Sequence, residues 1–226
     1  MNPFALGPRA IAVYNVVRYM NLRVEGAARL PRGGAALIAA RHYHHAFDGS
    51  ALVHGLPRQP HLFVALDWAR SAWTRQVMET ACRLAEWPVA IRSERFGPHV
   101  APAAFERREA LRYVRRAISD GARLLVRGKW LVVFPEGYPT IDPAGSHKKR
   151  DDEYLPFRAG LIAIVAQAER AGARPVPIFP AGLAYARAGA RINVTLRLGA
   201  PLFFPRGGNR AAFLAELERH VRELSR

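Results

Sequence analysis

The unbroken apolar run over residues 35–40, Ala-Ala-Leu-Ile-Ala-Ala, constrains the fold of this chain more than any other feature. A strand with one wet face alternates apolar and polar side chains. A run without alternation fits a strand covered on both faces, as in a parallel sheet between helical layers. Residues 131–134 form a second such run, and residues 175–179 read as another strand. A short strand over residues 22–26 leads into a Pro/Gly turn at residues 30–34. Late in the chain, Ile192, Val194, Leu196 and Leu198 alternate with Asn193, Thr195 and Arg197, which marks a half-buried strand. Between the strands, apolar residues recur at helical spacing. Val77, Met78, Ala81, Cys82, Leu84 and Ala85 share a face over residues 73–85, a helix covers 105–119, and a shorter one after Gly121 ends near Gly128. A long polar loop over 138–153 precedes a helix over 160–170. Asn209 then caps a last helix with Phe213, Leu217, Val221 and Leu224 on one face. This alternation predicts an α/β fold with a central, mostly parallel mixed sheet flanked by helices.

A chain of 226 residues suits one sizeable core and is short for two, so residues 1–226 read as a single domain. No apolar run approaches the roughly 18 to 20 residues of a membrane-spanning helix. The amino terminus lacks a secretion signal, and Cys82, the one cysteine, cannot form an internal disulfide. The expectation is a cytoplasmic protein, and the apolar face around Cys82 predicts a buried, unreactive thiol. Residues 8–21 form an amphipathic helix in which Ile11, Val13, Val16, Val17 and Met20 alternate with Arg9, Asn15, Arg18 and Asn21. That pattern suits either a membrane interface or packing on the core. The net charge of +16 favours anionic partners. Only Lys129, Lys148 and Lys149 are lysines, so a plain compositional bias towards arginine is the competing reading. The charge is spread along the chain rather than gathered in a basic block with interleaved aromatics, which argues against nucleic acid as the partner.

Two strand ends carry unusual polar residues, and in parallel sheets the strand ends are where sites form. One is Arg41-His42-Tyr43-His44-His45-Ala46-Phe47-Asp48-Gly49; the other is Phe134-Pro135-Glu136-Gly137. Three histidines near an aspartate fit a metal site or a His-Asp acid/base pair. Paired cysteines and a helix-borne His-x3-His with Glu are both missing from the sequence, so no metal is expected. A carboxylate beside an imidazole fixes its tautomer and stabilises the imidazolium, which is what a general base needs. Taken alone, the cluster also fits a polar loop with Asp48 as a helix cap.

The order of these signals resembles the 1-acylglycerol-3-phosphate acyltransferases and related glycerolipid acyltransferases. Leu22 to Gly26 and Leu30-Pro31 are similar to the strand and turn before that family's first motif, Asn-His-x4-Asp, whose place is taken by Ala40-Arg41-His42 through Asp48-Gly49. Trp87-Pro88-Val89-Ala90-Ile91-Arg92 resembles the second block, which ends in arginine, and the Phe-Pro-Glu-Gly third motif stands intact at residues 134–137. Leu155-Pro156-Phe157-Arg158-Ala159-Gly160 resembles Leu-Pro-Phe-Lys-x-Gly, Val176-Pro177-Ile178 the fourth block, and Gly199-Ala200-Pro201-Leu202 the closing Gly-x-Pro-Leu. Two positions depart from the pattern. The family's histidine stands five before the aspartate, where this chain has Tyr43; a one-residue insertion makes His42 the base, with His44 the alternative and His45 behind it. The Thr-Arg-Ser that commonly follows the third motif is Tyr138-Pro139-Thr140 here, so a phosphate-binding arginine is missing there.

The resemblance implies an enzyme that moves a fatty acyl group from acyl-CoA or acyl carrier protein to a lysolipid hydroxyl such as that of lysophosphatidic acid. It implies no cofactor and an anionic membrane surface as partner, with the protein peripheral on the inner face. The histidine would act as base with Asp48 orienting it, and Glu136 and Gly137 would hold the acceptor. Arg92, Arg158 or the Lys148-Lys149-Arg150 cluster would supply positive charge. The alternatives are a different acceptor, such as a lyso-aminolipid, and a catalytically silent membrane-binding relative.

Overall fold

A computed structural model describes residues 6–92, 94, 104–143 and 145–226. Its six-stranded sheet is built from β1 (Met20–Glu25), β2 (Ala36–Ala40), β3 (His61–Leu62), β6 (Trp130–Val133), β7 (Ile178–Ala188) and β8 (Arg191–Leu198), in the order β1-β8-β7-β2-β6-β3. Every neighbouring pair is parallel except the β7–β8 hairpin, so the sheet is mixed and mostly parallel, as the sequence predicts. Two further short strands, β4 (Val64–Ala65) and β5 (Val89–Ala90), pair with each other beside it.

The run at residues 36–40 is apolar throughout because both of its faces are covered. Ala36, Ile38 and Ala40 pack under α1 (Leu6–Tyr19) and α2 (Phe47–Gly55), with Ala51, Leu52, Phe179 and Leu183 in the same layer. Leu37 and Ala39 face the opposite layer, where α4 (Arg107–Val126), α5 (Gly160–Arg170) and α6 (Arg210–Leu224) contribute Leu125, Leu161, Val165 and Leu217. Each such aliphatic side chain contributes about 1.5–3 kcal/mol on burial. A smaller core joins α3 (Ala72–Leu84) to α4 through Leu66, Cys82, Ile91 and Ala110. Cys82 is buried there, and burial pushes its thiol up to about 12.

Several elements differ from the sequence reading. The two helices expected on either side of Gly121 are one, α4. Gly121 is there for contact: an added Cβ would lie 3.0 Å from Leu131 Cδ2 and 3.3 Å from Ile164 Cγ2. The first helix ends at Tyr19, because Met20 and Asn21 already belong to β1 and pair with Ile192 and Asn193. The strand expected to close at residue 179 runs on as β7 to Ala188, since its second half pairs along the whole of β8. Helix α2, which lies directly after the histidines, goes unread in the sequence because it spans only nine residues. Asn209 caps α6 as its position implies, accepting from the Ala211 and Ala212 amides.

Candidate active site

The site lies where the parallel strands β2 and β6 end side by side. The chain leaves β2 at Arg41 and turns through three histidines into α2, whose first turn contains Asp48. The Asp48 carboxylate is fully buried and gathers donors from the loop that precedes it. Its Oδ2 accepts from the Tyr43 amide at 2.6 Å and the His44 amide at 3.0 Å, and it lies 2.8 Å from His42 Nδ1. Its Oδ1 accepts from the Tyr185 hydroxyl. Tyr185 reaches Asp48 because β7 runs past the end of β2: Ala181 pairs with Ala40, and Tyr185 stands four residues further along. Burial and the neighbouring Asp48 charge hold the Tyr185 phenol well above its ordinary value, so it remains a donor. An ionised carboxylate with donors to both oxygens is stabilised without water.

The three histidines are in different situations. The His42 ring stacks on Phe134, 4.2 Å between centroids, with its Nδ1 at Asp48; among the described residues no protein group takes Nε2. The His44 ring faces backbone instead. Its Nδ1 accepts from the amides of Ala46 at 3.2 Å and Phe47 at 3.3 Å, two donors at the start of α2 that have no partner within the helix. Burial and the nearby His45 hold His44 below its ordinary value, which keeps this acceptor unprotonated. His45 is exposed, and its Nδ1 donates to the Ile141 carbonyl at 3.3 Å. The structure therefore brings His42 and Asp48 together and sets His44 apart as a cap for α2.

The Phe134-Pro135-Glu136-Gly137 motif forms a tight turn in which the Gly137 amide donates to the Phe134 carbonyl at 3.0 Å, with Gly137 at φ 78°. An added Cβ at Gly137 would lie 2.8 Å from Arg158 Nε, the end of a half-exposed side chain that can yield, so it is the left-handed conformation that requires glycine. Glu136 is 1% exposed, which differs from its expected place against the acceptor. Its Oε1 accepts from the His42 amide at 2.9 Å and its Oε2 from the Leu155 amide at 3.2 Å, while the Lys148 ammonium lies 2.7 Å from Oε2. Lys148 also donates to the His42 carbonyl at 2.6 Å. Both side chains of this pair are wholly enclosed. Lys148 thus belongs to the buried cluster, whereas Lys149 and Arg150 beside it are exposed.

The two arginines expected to supply charge are each engaged by a carboxylate. Arg92 is buried and forks onto Asp67, with Nε 2.9 Å from Oδ1 and Nη2 2.8 Å from Oδ2. It also donates to the Gly137 carbonyl and lies 4.0 Å over the Tyr138 ring. Arg158 is half exposed and pairs with Glu94. Sequence reasoning missed Tyr185 and the burial of Lys148. Tyr185 is hidden because β7 is longer than its apolar stretch; Lys148 sits in a charged run that reads as a solvated loop.

On the other side of α2, α1 shows two faces. Ala12 and Val16 are buried in the core, while Ile11, Tyr14 and Val17 are 60–65% exposed between Arg9 and Arg18. Among the described residues no helix is long and apolar enough to cross a membrane.

Comparison with known proteins agrees with this architecture. No curated protein matches the sequence. Among solved structures, the chain is similar to the 1-acyl-sn-glycerophosphate (LPA) acyltransferase PlsC from Thermotoga maritima. The TM-score is 0.61 and the identity 16%, over 97% of this chain and 77% of that one. At this identity the likeness shows a shared fold. The sequence profile of the family described as Acyltransferase matches residues 21–184, from β1 through β7 and both motif-bearing strand ends. The chain belongs to the acyltransferase family.

Proposed function

We propose that this enzyme transfers a fatty acyl group from a thioester, acyl-CoA or acyl carrier protein, to the free hydroxyl of a lysolipid of the lysophosphatidic acid type, in phospholipid synthesis. The observation that carries the reading is the His42–Asp48 pair, with Nδ1 held at 2.8 Å and Nε2 left without a partner among the described residues. In this reading residues 1–226 serve as one acyltransferase domain. His42 Nε2 takes the proton of the acceptor hydroxyl as its oxygen attacks the thioester carbonyl. The tetrahedral intermediate collapses to the new ester, and the departing thiolate takes the proton back from the imidazolium. Asp48 fixes the tautomer and stabilises the imidazolium in between. Glu136, enclosed as it is, acts through the His42 amide rather than on the acceptor. His44 supports the loop by capping α2.

The exposed apolar face of α1 supports work at a membrane surface. Ile11, Tyr14 and Val17 flanked by arginines suit an anionic leaflet, where each basic residue contributes on the order of 1 kcal/mol. We place the protein peripherally on the inner face of the membrane.

A second acceptor class, a lyso-aminolipid, is favoured by one observation: Arg92 and Arg158 are already paired with Asp67 and Glu94, and the third motif is followed by Tyr138 rather than by Thr-Arg-Ser. A silent relative is disfavoured by the assembled His42–Asp48 pair. The test is acyl transfer by purified protein over phosphate-bearing and aminolipid acceptors, with both donor types. His42→Ala should lower turnover by roughly 10²- to 10⁴-fold while remaining folded. A folded variant lacking all three of His42, His44 and His45 that works at the wild-type rate would overturn the mechanism.

A further inference from the structure

We infer that Lys148 is a positioning residue of the transfer reaction, holding the His42 peptide from its carbonyl side while Glu136 holds it from its amide side. The inference rests on the reading of His42 as the base. Both backbone groups of His42 are bound by one enclosed ion pair: the amide donates to Glu136 Oε1 at 2.9 Å, and the carbonyl accepts from Lys148 Nζ at 2.6 Å. The pair itself closes at 2.7 Å with both side chains wholly enclosed. Fixing the peptide planes on either side of the His42 Cα fixes the direction in which its ring leaves the backbone. Phe134 on the ring face and Asp48 at Nδ1 then complete the placement.

Lys148 arrives from the segment between β6 and α5, and that segment is fastened to the histidine loop at two other points. Ile141 donates to the Tyr43 carbonyl at 2.7 Å and accepts from the His45 amide at 3.1 Å. Arg41 Nη2 donates to the Asp151 carbonyl at 2.9 Å. Ser146 sets the approach, accepting from the Lys148 amide at 3.0 Å while donating to the Pro139 carbonyl. Taking an ammonium out of water is costly, and for packing alone an apolar side chain of similar length would serve at least as well. Burial drives Lys148 towards its neutral form while Glu136 opposes this. What an apolar replacement lacks is the donor to the His42 carbonyl.

The simplest rival is that Lys148 only neutralises Glu136, and a pair of variants separates the two roles. Lys148→Met leaves Glu136 charged and buried. Lys148→Met/Glu136→Gln removes both charges yet keeps an amide oxygen for the His42 N–H. The double variant should recover thermal stability relative to Lys148→Met, because no uncompensated charge is left inside. Its kcat should nevertheless stay roughly 10- to 100-fold below wild type, with KM for donor and acceptor within about threefold. The low-field proton resonance of the His42–Asp48 hydrogen bond should shift or broaden in the double variant. If Lys148→Met does not fold, the double variant carries the test. A wild-type kcat or an unchanged resonance in the double variant overturns the inference. If His42→Ala proves active, the functional reading fails instead, and the resonance still reports whether Lys148 holds the ring.

Discussion

The end of β2 and the outer face of α1 lie on either side of α2 and treat their side chains in opposite ways. Around Asp48 every acceptor has a donor: two amides, an imidazole and a phenol share one buried carboxylate. On α1, Ile11, Tyr14 and Val17 stand out in solvent, while Ala12 and Val16 anchor the same helix to the core. A preorganised group loses little when the reaction develops charge beside it, so the first region suits chemistry. A fixed apolar stripe with flanking arginines that stays mostly exposed suits contact with a surface. The two regions should therefore fail differently when altered.

The largest expected effect is on the side of the carboxylate. Asp48→Asn keeps the shape of the site but removes the charge that stabilises the imidazolium, and turnover should fall roughly 10²- to 10⁴-fold. Steady-state kinetics on variant protein with an unaltered far-UV circular dichroism spectrum would check this, and a near wild-type kcat would break the comparison. Next comes α1. Ile11→Asp/Val17→Asp should cut retention on anionic vesicles by roughly tenfold or more, since each buried aliphatic side chain contributes about 1.5–3 kcal/mol. Turnover on a short-chain, water-soluble acceptor should not change, and cosedimentation beside that assay separates the two outcomes. His44→Ala is smaller: losing a cap at α2 should lower stability by about 0.5–2 kcal/mol in chemical denaturation, and kcat should change far less than in His42→Ala.

The smallest effect is a pH dependence. His44 is held below its ordinary value of 6.5 in the folded chain, so below that pH the unfolded chain binds the proton more readily. The stability from this group is present above 6.5 and is lost as the pH falls towards the depressed folded value. His61 is shifted the same way by burial. Thermal melts from about pH 7.5 to about pH 5.5 should show a declining midpoint, with the slope reduced but not abolished in His44→Ala.

Patterns with a fixed period were legible in the sequence. The continuous run of β2, the alternation of β8 and the helical spacing of α6 each reflect which faces are covered, whereas of the apolar residues read on α3 itself only Cys82 is buried, with Val77 and Ala81 exposed. The aspartate and histidine stood out because polar residues at the end of a buried strand are conspicuous. Gly121 misled, because a glycine chosen for close contact with Leu131 reads like a helix break. Lys148 misled for the opposite reason. In a run of three cations nothing local marks the one that turns inward, and its partner Glu136 lies 12 positions upstream on another strand end. The reach of β7 to Tyr185 depends on pairing with β8, a tertiary fact that Tyr-Ala-Arg-Ala does not announce.

The overhang of β7 beyond β2 gives the two walls of the site different capacities for change over evolutionary time. Side chains on a strand alternate, and Ala181, Leu183 and Tyr185 share the face towards α2. One residue gained or lost between Ala181 and Tyr185 would turn the phenol to the opposite side and strip Asp48 of a donor. The facing wall is a loop, where an extra residue between His42 and Asp48 can be taken up by the path of the backbone while the two functional ends stay in register. Length variation among descendants of this chain should accumulate in the histidine loop, and the hairpin should vary by substitution alone.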